Sequence, residues 1–157
     1  MKLRILLLLL LLPALSFGQG LRLVWIGDSI TDGGWGRSGG SMAPAEERNQ
    51  KDQNHLYGHS YMFLTAAELQ SRYPERNYTC LNRGISGYTL TELEQRWEAD
   101  VEALHPDLLS ILIGTNDVDR ALRGGGFDVK SWEERYRNYL TRTREAFPEV
   151  RLVLCTP

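Results

Sequence analysis

The stretch Leu108-Leu109-Ser110-Ile111-Leu112-Ile113 constrains the fold more than any other part of the chain. It is too short for an ordinary helix and offers water no polar face. It reads as a strand buried on both sides, a placement found in parallel sheets that carry helices on both faces. Three more apolar runs read as strands, over 21–26, 77–81 and 150–154. Helical spacing falls between them. A helix over 59–73 puts Met62, Ala66 and Leu69 on one side and ends at Pro74. A second opens at a capping box of Thr89 and Glu92, carries Leu90, Leu93, Trp97, Val101 and Leu104, and closes at Pro106. A polar, glycine-rich loop is expected up to Gly126. Ser131 with Glu134 then caps a third helix, with Trp132, Tyr136 and Leu140 on its core face. Strand and helix alternate throughout, which predicts an α/β fold with a parallel sheet. Right-handed crossovers reduce the choice to a few doubly wound orders.

Residues 1–18 stand apart from this pattern. Lys2 and Arg4 precede an unbroken apolar run over 5–12, and Ser16-Phe17-Gly18 supplies small residues for cleavage. That is the layout of a secretory signal peptide, so a secreted or periplasmic protein is expected. The run is too short to span a bilayer, and no cysteine near the junction offers a lipid anchor. Removing the segment takes two basic residues and no acid, which lowers the formal net charge from −2 to about −4. A mildly acidic domain of this kind has no electrostatic case for nucleic acid or for stable membrane insertion. Residues 19–157 are enough for one ordinary core and one domain. Cys80 and Cys155 fall on strands that the expected order does not make neighbours, so two free, buried cysteines are expected.

Three of the strands run into polar turns: Gly27-Asp28-Ser29, Asn82 to Gly87, and Gly114-Thr115-Asn116-Asp117. In a parallel sheet these meet at one edge, where ligands collect in open α/β folds. Each turn alone has a plain reading, a strand end with Asp or Ser capping the next segment. Together they supply what acyl transfer needs. Ser29 is a hydroxyl nucleophile, and the Gly87 amide, the Asn116 side chain and the Ser29 amide are donors for an oxyanion. The glycine-rich stretch from Gly33 to Gly40 lacks the Gly-Lys-Ser/Thr ending of a phosphate loop. It belongs to a long polar insertion reaching about Tyr57, whose Trp35 and Arg37 are candidates for sugar or acyl contact. His55 and His59 lack the intervening glutamate of a zinc helix, and His105 reads as a helix-end residue. Asn77-Tyr78-Thr79 fits a glycosylation sequon, placed on a strand.

Taken in order, Gly27-Asp28-Ser29-Ile30-Thr31, Asn82-Arg83-Gly84-Ile85-Ser86-Gly87 and Gly114-Thr115-Asn116-Asp117 resemble the first three sequence blocks of the SGNH (GDSL-type) hydrolases. The resemblance spans about 21–157. It implies a three-layer α/β/α, flavodoxin-like fold with strand order 2-1-3-4-5. It also implies esterase, lipase or carbohydrate-deacetylase activity without a metal or organic cofactor. Ser29 carries over as nucleophile, with Gly87 and Asn116 as oxyanion donors beside the Ser29 amide.

The family's Asp-x-x-His block comes after its fifth strand, and this sequence ends at Pro157, just past the fourth. Without a base a serine hydroxyl is a poor nucleophile, so the His-Asp pair is expected beyond residue 157. The one Asp-x-x-His string present, Asp52-Gln53-Asn54-His55, lies in the insertion, out of the family's order. A fourth strand left at an open edge further predicts that the sequence is the N-terminal part of a longer protein. Two functions fit these features. One is an exported serine esterase acting on acyl esters, acetylated carbohydrate first and lipid esters second. The other is a non-catalytic binding module that keeps the pocket without the base.

Overall fold

The computed structural model describes residues 20–33, 58–124 and 126–157. The leader expected over 1–18, Trp35, Arg37 and the Asp52-Gln53-Asn54-His55 string lie outside the described residues. Four strands, β1 (Arg22–Gly27), β2 (Thr79–Gly84), β3 (Leu108–Leu112) and β4 (Arg151–Cys155), form one sheet in the order β2-β1-β3-β4. Every pairing is parallel. This is the expected doubly wound order, as far as the fourth strand.

Alternate residues of β1 feed two cores. Val24 and Ile26 pack on one face with Leu109, Ile111 and the helical residues Leu93, Trp97, Val101 and Tyr139. Leu23 and Trp25 pack on the other with Met62 and Ala66. The second face is covered by α2 (Tyr61–Arg72). The first is covered by α3 (Leu90–Gln95), α4 (Trp97–Asp100) and the long α6 (Val129–Ala146). The period-2 alternation of a strand thus fills both outer layers from one central element.

Several sequence expectations are corrected. Asn82-Arg83-Gly84 is the buried end of β2, not a turn. Asn82 tolerates that place because its Nδ2 donates to the Thr31 and Asp32 carbonyls at 3.0 and 3.3 Å, and its Oδ1 accepts from the Gly84 N–H at 3.0 Å. The helix expected from Leu90 to Leu104 breaks at Arg96 and ends as a 3-10 turn over Glu102–Leu104. The Arg96 N–H is shared between the Glu92 and Leu93 carbonyls, which tightens the backbone there. Thr115–Gly124, expected as a loop, is helix α5, and it buries none of its residues. α6 is capped by Asp128, which accepts from the Ser131 N–H at 3.1 Å, so it starts two residues before Ser131. Asn77 precedes β2 in a left-handed turn, exposed. Both cysteines are free, on opposite edge strands, but only Cys80 is buried and Cys155 is half-buried. At β4 both Val153 and Leu154 are exposed.

Between β1 and α2 the chain forms α1 (Ser29–Asp32), one helical turn packed directly on β2. A Cβ at Gly84 would lie 2.4 Å from the Asp32 amide nitrogen, so only glycine allows this approach. Asn82 then ties off the carbonyls at the end of that turn. Replacing Asn82 with Ala removes its hydrogen bonds to the Thr31 and Asp32 carbonyls and from the Gly84 N–H at a buried position. The expected loss is about 1–3 kcal/mol in urea denaturation.

Candidate active site

The strand register brings the three polar segments to one edge. Gly27 pairs with Gly84 on one side and Leu112 on the other, so Ser29, the 85–88 turn and Asn116 all come within four residues of aligned positions. The chain reaches this edge from β1 through Gly27 (φ +153), where a Cβ would strike the Leu112 carbonyl oxygen at 2.2 Å. Asp28 is the cap of α1: its Oδ1 accepts from the Ile30 N–H at 2.9 Å. Ser29 comes next, exposed at the start of the turn. The plain reading of Gly27-Asp28-Ser29 as a capped strand end is therefore true as well, and the cap is what presents the serine.

Asp28 is fully buried, and its Oδ2 has no hydrogen-bond partner among the described residues. Burial pushes its pKa above the ordinary 3.8, against the pull of the Ile30 N–H, and the charge of Asp117 pushes the same way. The floor beneath α1 is polar. The Thr31 hydroxyl lies 3.3 Å from the Tyr61 hydroxyl, and the Ser60 hydroxyl donates to the Thr31 carbonyl at 2.8 Å.

Gly87 sits in a turn closed by the Tyr88 N–H on the Ile85 carbonyl at 3.2 Å. Its φ of +85° is that of the third residue of a type II turn, which favours glycine. A Cβ there would meet nothing within 4 Å, so the position is open on that side. The turn's own hydrogen bond does not use the Gly87 N–H. The Ser86 N–H is held by Asp32 Oδ2 at 2.9 Å, which anchors the turn to α1.

Asn116 lies in the first turn of α5, not in a loop, and its Nδ2 donates to the Tyr88 carbonyl at 2.9 Å. One amide hydrogen is thereby fixed on the turn that carries Gly87, and the other remains to point elsewhere. Asp117 beside it accepts from Trp132 Nε1 at 2.8 Å and from the Leu90 N–H at 3.2 Å, joining α5 to α6 and α3. The structure thus brings together the strand ends that carry Ser29, Gly87 and Asn116. His105 stands at the opposite edge, before β3, in a left-handed conformation and edge-on to Phe147 at 5.5 Å. His59 is exposed and its N–H donates to the Gly33 carbonyl at 2.9 Å. Among the described residues, no group of three or more His, Cys, Asp and Glu side chains is arranged to hold a metal ion.

Sequence reasoning missed the supports of this site. Asp32 and Arg120 bind the segments to one another through polar contacts, and no spacing in the chain marks them. Glu92 carried a signal as the partner of Thr89, and Asn82 and Asp117 stood within the polar turns without an assigned role.

The model of the GDSL-like lipase/acylhydrolase family matches residues 25–157. The chain belongs to that family. Its three blocks accordingly sit on the α/β fold of the SGNH hydrolases. An acetylxylan esterase from Geobacillus stearothermophilus is 41% identical over 106 residues, which is 68% of this chain and 44% of that protein. A putative GDSL-like lipase from Parabacteroides merdae superposes with a TM-score of 0.73 at 35% identity, over 88% of this chain and 60% of the other. A catalytic mutant of Axe2, an acetylxylan esterase from Geobacillus stearothermophilus, gives 0.69 at 35% identity over 87% and 59%. The chain thus spans 44% of the curated relative and about 60% of the solved GDSL structures. The catalytic mutants solved for Axe2 replace a serine, an aspartate and a histidine.

The buried Asp28 carboxyl gives this GDSL chain a pH signature. Native Asp28 holds its proton more tightly than the unfolded chain does, so its contribution to stability is lost as pH rises through 3.8 and beyond. Asp28→Asn removes that titration. Its stability relative to wild type is expected to rise with pH across this range and then level off. Urea denaturation at a series of pH values checks this, and a difference that does not vary with pH would contradict it.

Proposed function

We propose that this chain is part of an exported serine esterase that hydrolyses acyl esters, with acetylated carbohydrate as the first substrate class. One observation carries the reading. Three chain segments far apart in sequence meet at the carboxyl edge of β1, β2 and β3, and Asn116 is hydrogen-bonded to the turn that holds Gly87. The family match and the acetylxylan esterase relative support ester hydrolysis and the carbohydrate class. The leader-like residues 1–18 support export.

In this reading the Ser29 Oγ attacks the acyl carbonyl carbon and its proton passes to a histidine. That base belongs to the Asp-x-x-His block expected after residue 157, and the aspartate and histidine replaced in Axe2 support expecting it. The carbonyl oxygen becomes an anion received by the Ser29 N–H, the Gly87 N–H and the free Asn116 Nδ2 hydrogen. Collapse of the tetrahedral species breaks the ester C–O bond, and the leaving alcohol takes the proton from the histidine. Water then repeats the sequence on the acyl-serine and releases the acid. Fixed donors lower the barrier because they need not reorient as the charge develops.

The test is hydrolysis of 4-nitrophenyl acetate and of acetylated xylo-oligosaccharide by the full chain as its host produces it. Ser29→Ala is expected to abolish turnover of both. Asn116→Ala removes one donor and should lower kcat by about 10²–10³-fold. Equal rates for wild type and Ser29→Ala would overturn the assignment.

A further inference from the structure

The turn that carries Gly87 is clamped from outside by one guanidinium. Arg120 lies four residues after Asn116 on α5. Its Nη2 donates to the Gly87 carbonyl at 2.6 Å and its Nη1 to Glu92 Oε1 at 3.1 Å. Glu92 also accepts from the Thr89 N–H at 2.7 Å and from the Thr89 hydroxyl. Burial alone would raise the Glu92 pKa. The bonds from Thr89 and Arg120 more than offset it and hold the carboxyl below its ordinary 4.5, so it stays an anion for the arginine to pair with.

These contacts bear on one peptide group. The Gly87 N–H belongs to the peptide between Ser86 and Gly87. On its amino side, the preceding peptide is held by the Ser86 N–H on Asp32. On its carboxyl side, the next peptide is held by Arg120 on the Gly87 carbonyl and by the Tyr88 N–H on Ile85. With both neighbours held, any rotation of the middle peptide must be taken up by ψ of Ser86 and φ of Gly87 alone, and glycine is the residue type at which such a flip meets least steric resistance.

We propose that Arg120 is a positioning residue that fixes the direction of the Gly87 N–H for the developing oxyanion, with Glu92 holding Arg120 in place. The inference rests on the esterase reading above. Arg120 touches no reacting atom and acts through the Gly87 carbonyl. Its side chain is 57% exposed, and ion pairs of that kind contribute little to stability, so its loss is expected to leave the fold intact. What it controls is the aim of a donor, to which transition-state binding is sensitive and ground-state binding is not.

With 4-nitrophenyl acetate, Arg120→Ala in the full chain is expected to lower kcat about 10-fold or more, with KM within about twofold. The melting temperature should stay within about 4 °C of wild type. Arg120→Lys keeps a donor for the carbonyl without the fork to Glu92, and should restore part of the kcat. A kcat for Arg120→Ala within about twofold of wild type overturns the proposal, as does a rise in KM with kcat unchanged. Should Arg120→Ala fail to fold, Arg120→Lys carries the test: a lowered kcat at unchanged KM supports it, and wild-type kcat overturns it. Ser29→Ala in the same assay separates the two readings. Activity in that variant removes the esterase itself, whereas its inactivity beside an unaffected Arg120→Ala removes only the role of Arg120.

Discussion

The amide of Asn82 on the Thr31 and Asp32 carbonyls is the contact on which the architecture turns. A single helical turn has too few internal hydrogen bonds to stand alone. α1 persists because its cap, Asp28, is buried at its start and Asn82 receives its end, while Gly84 lets the backbones of α1 and β2 nearly touch. The serine at the head of that turn therefore takes its position from β2 as much as from β1.

The same arrangement recurs around the turn from Ile85 to Tyr88. Asp32 holds one peptide, Arg120 another, and Asn116 reaches the Tyr88 carbonyl. Each contact joins a segment after one strand to a segment after another. The edge is thus a set of short loops braced against each other, not carried by any one of them. Asp28 and Asp117 add a shared electrostatic cost, two carboxylates at one edge of which one is fully buried.

The sheet was legible in the sequence because β3 is apolar on both faces, β1 and β4 are largely apolar runs, and helical spacing falls between the strands. The strand ends were less so. Asn82 and Arg83 look like turn residues by composition, and only the carbonyls of α1, supplied by a segment some fifty residues earlier, make Asn82 a strand residue. α5 escaped because its polar, glycine-flanked composition reads as a loop, although Val118, Ala121 and Leu122 recur at helical spacing along it. The residues proposed for the site, Ser29, Gly87 and Asn116, stand in three short blocks. Their supports could not be picked out, since Arg120 and Asp32 are ordinary charged residues until the fold sets a carbonyl or an N–H in front of them.

The central place of β1 has a kinetic consequence. Arg22 pairs with Thr79 and Leu23 with Leu108, so β1 meets neither neighbour through a short hairpin. Closing segments of that length costs chain entropy before any contact repays it, and such topologies assemble slowly. The polar edge exists only after both closures, because the turn after β2 and the helix after β3 brace each other across β1. A chain that has docked β2 but not β3 has the Ser29 turn in place and no Asn116 to complete the edge. Completion of this edge therefore waits on the pairing of β1 with both of its neighbours.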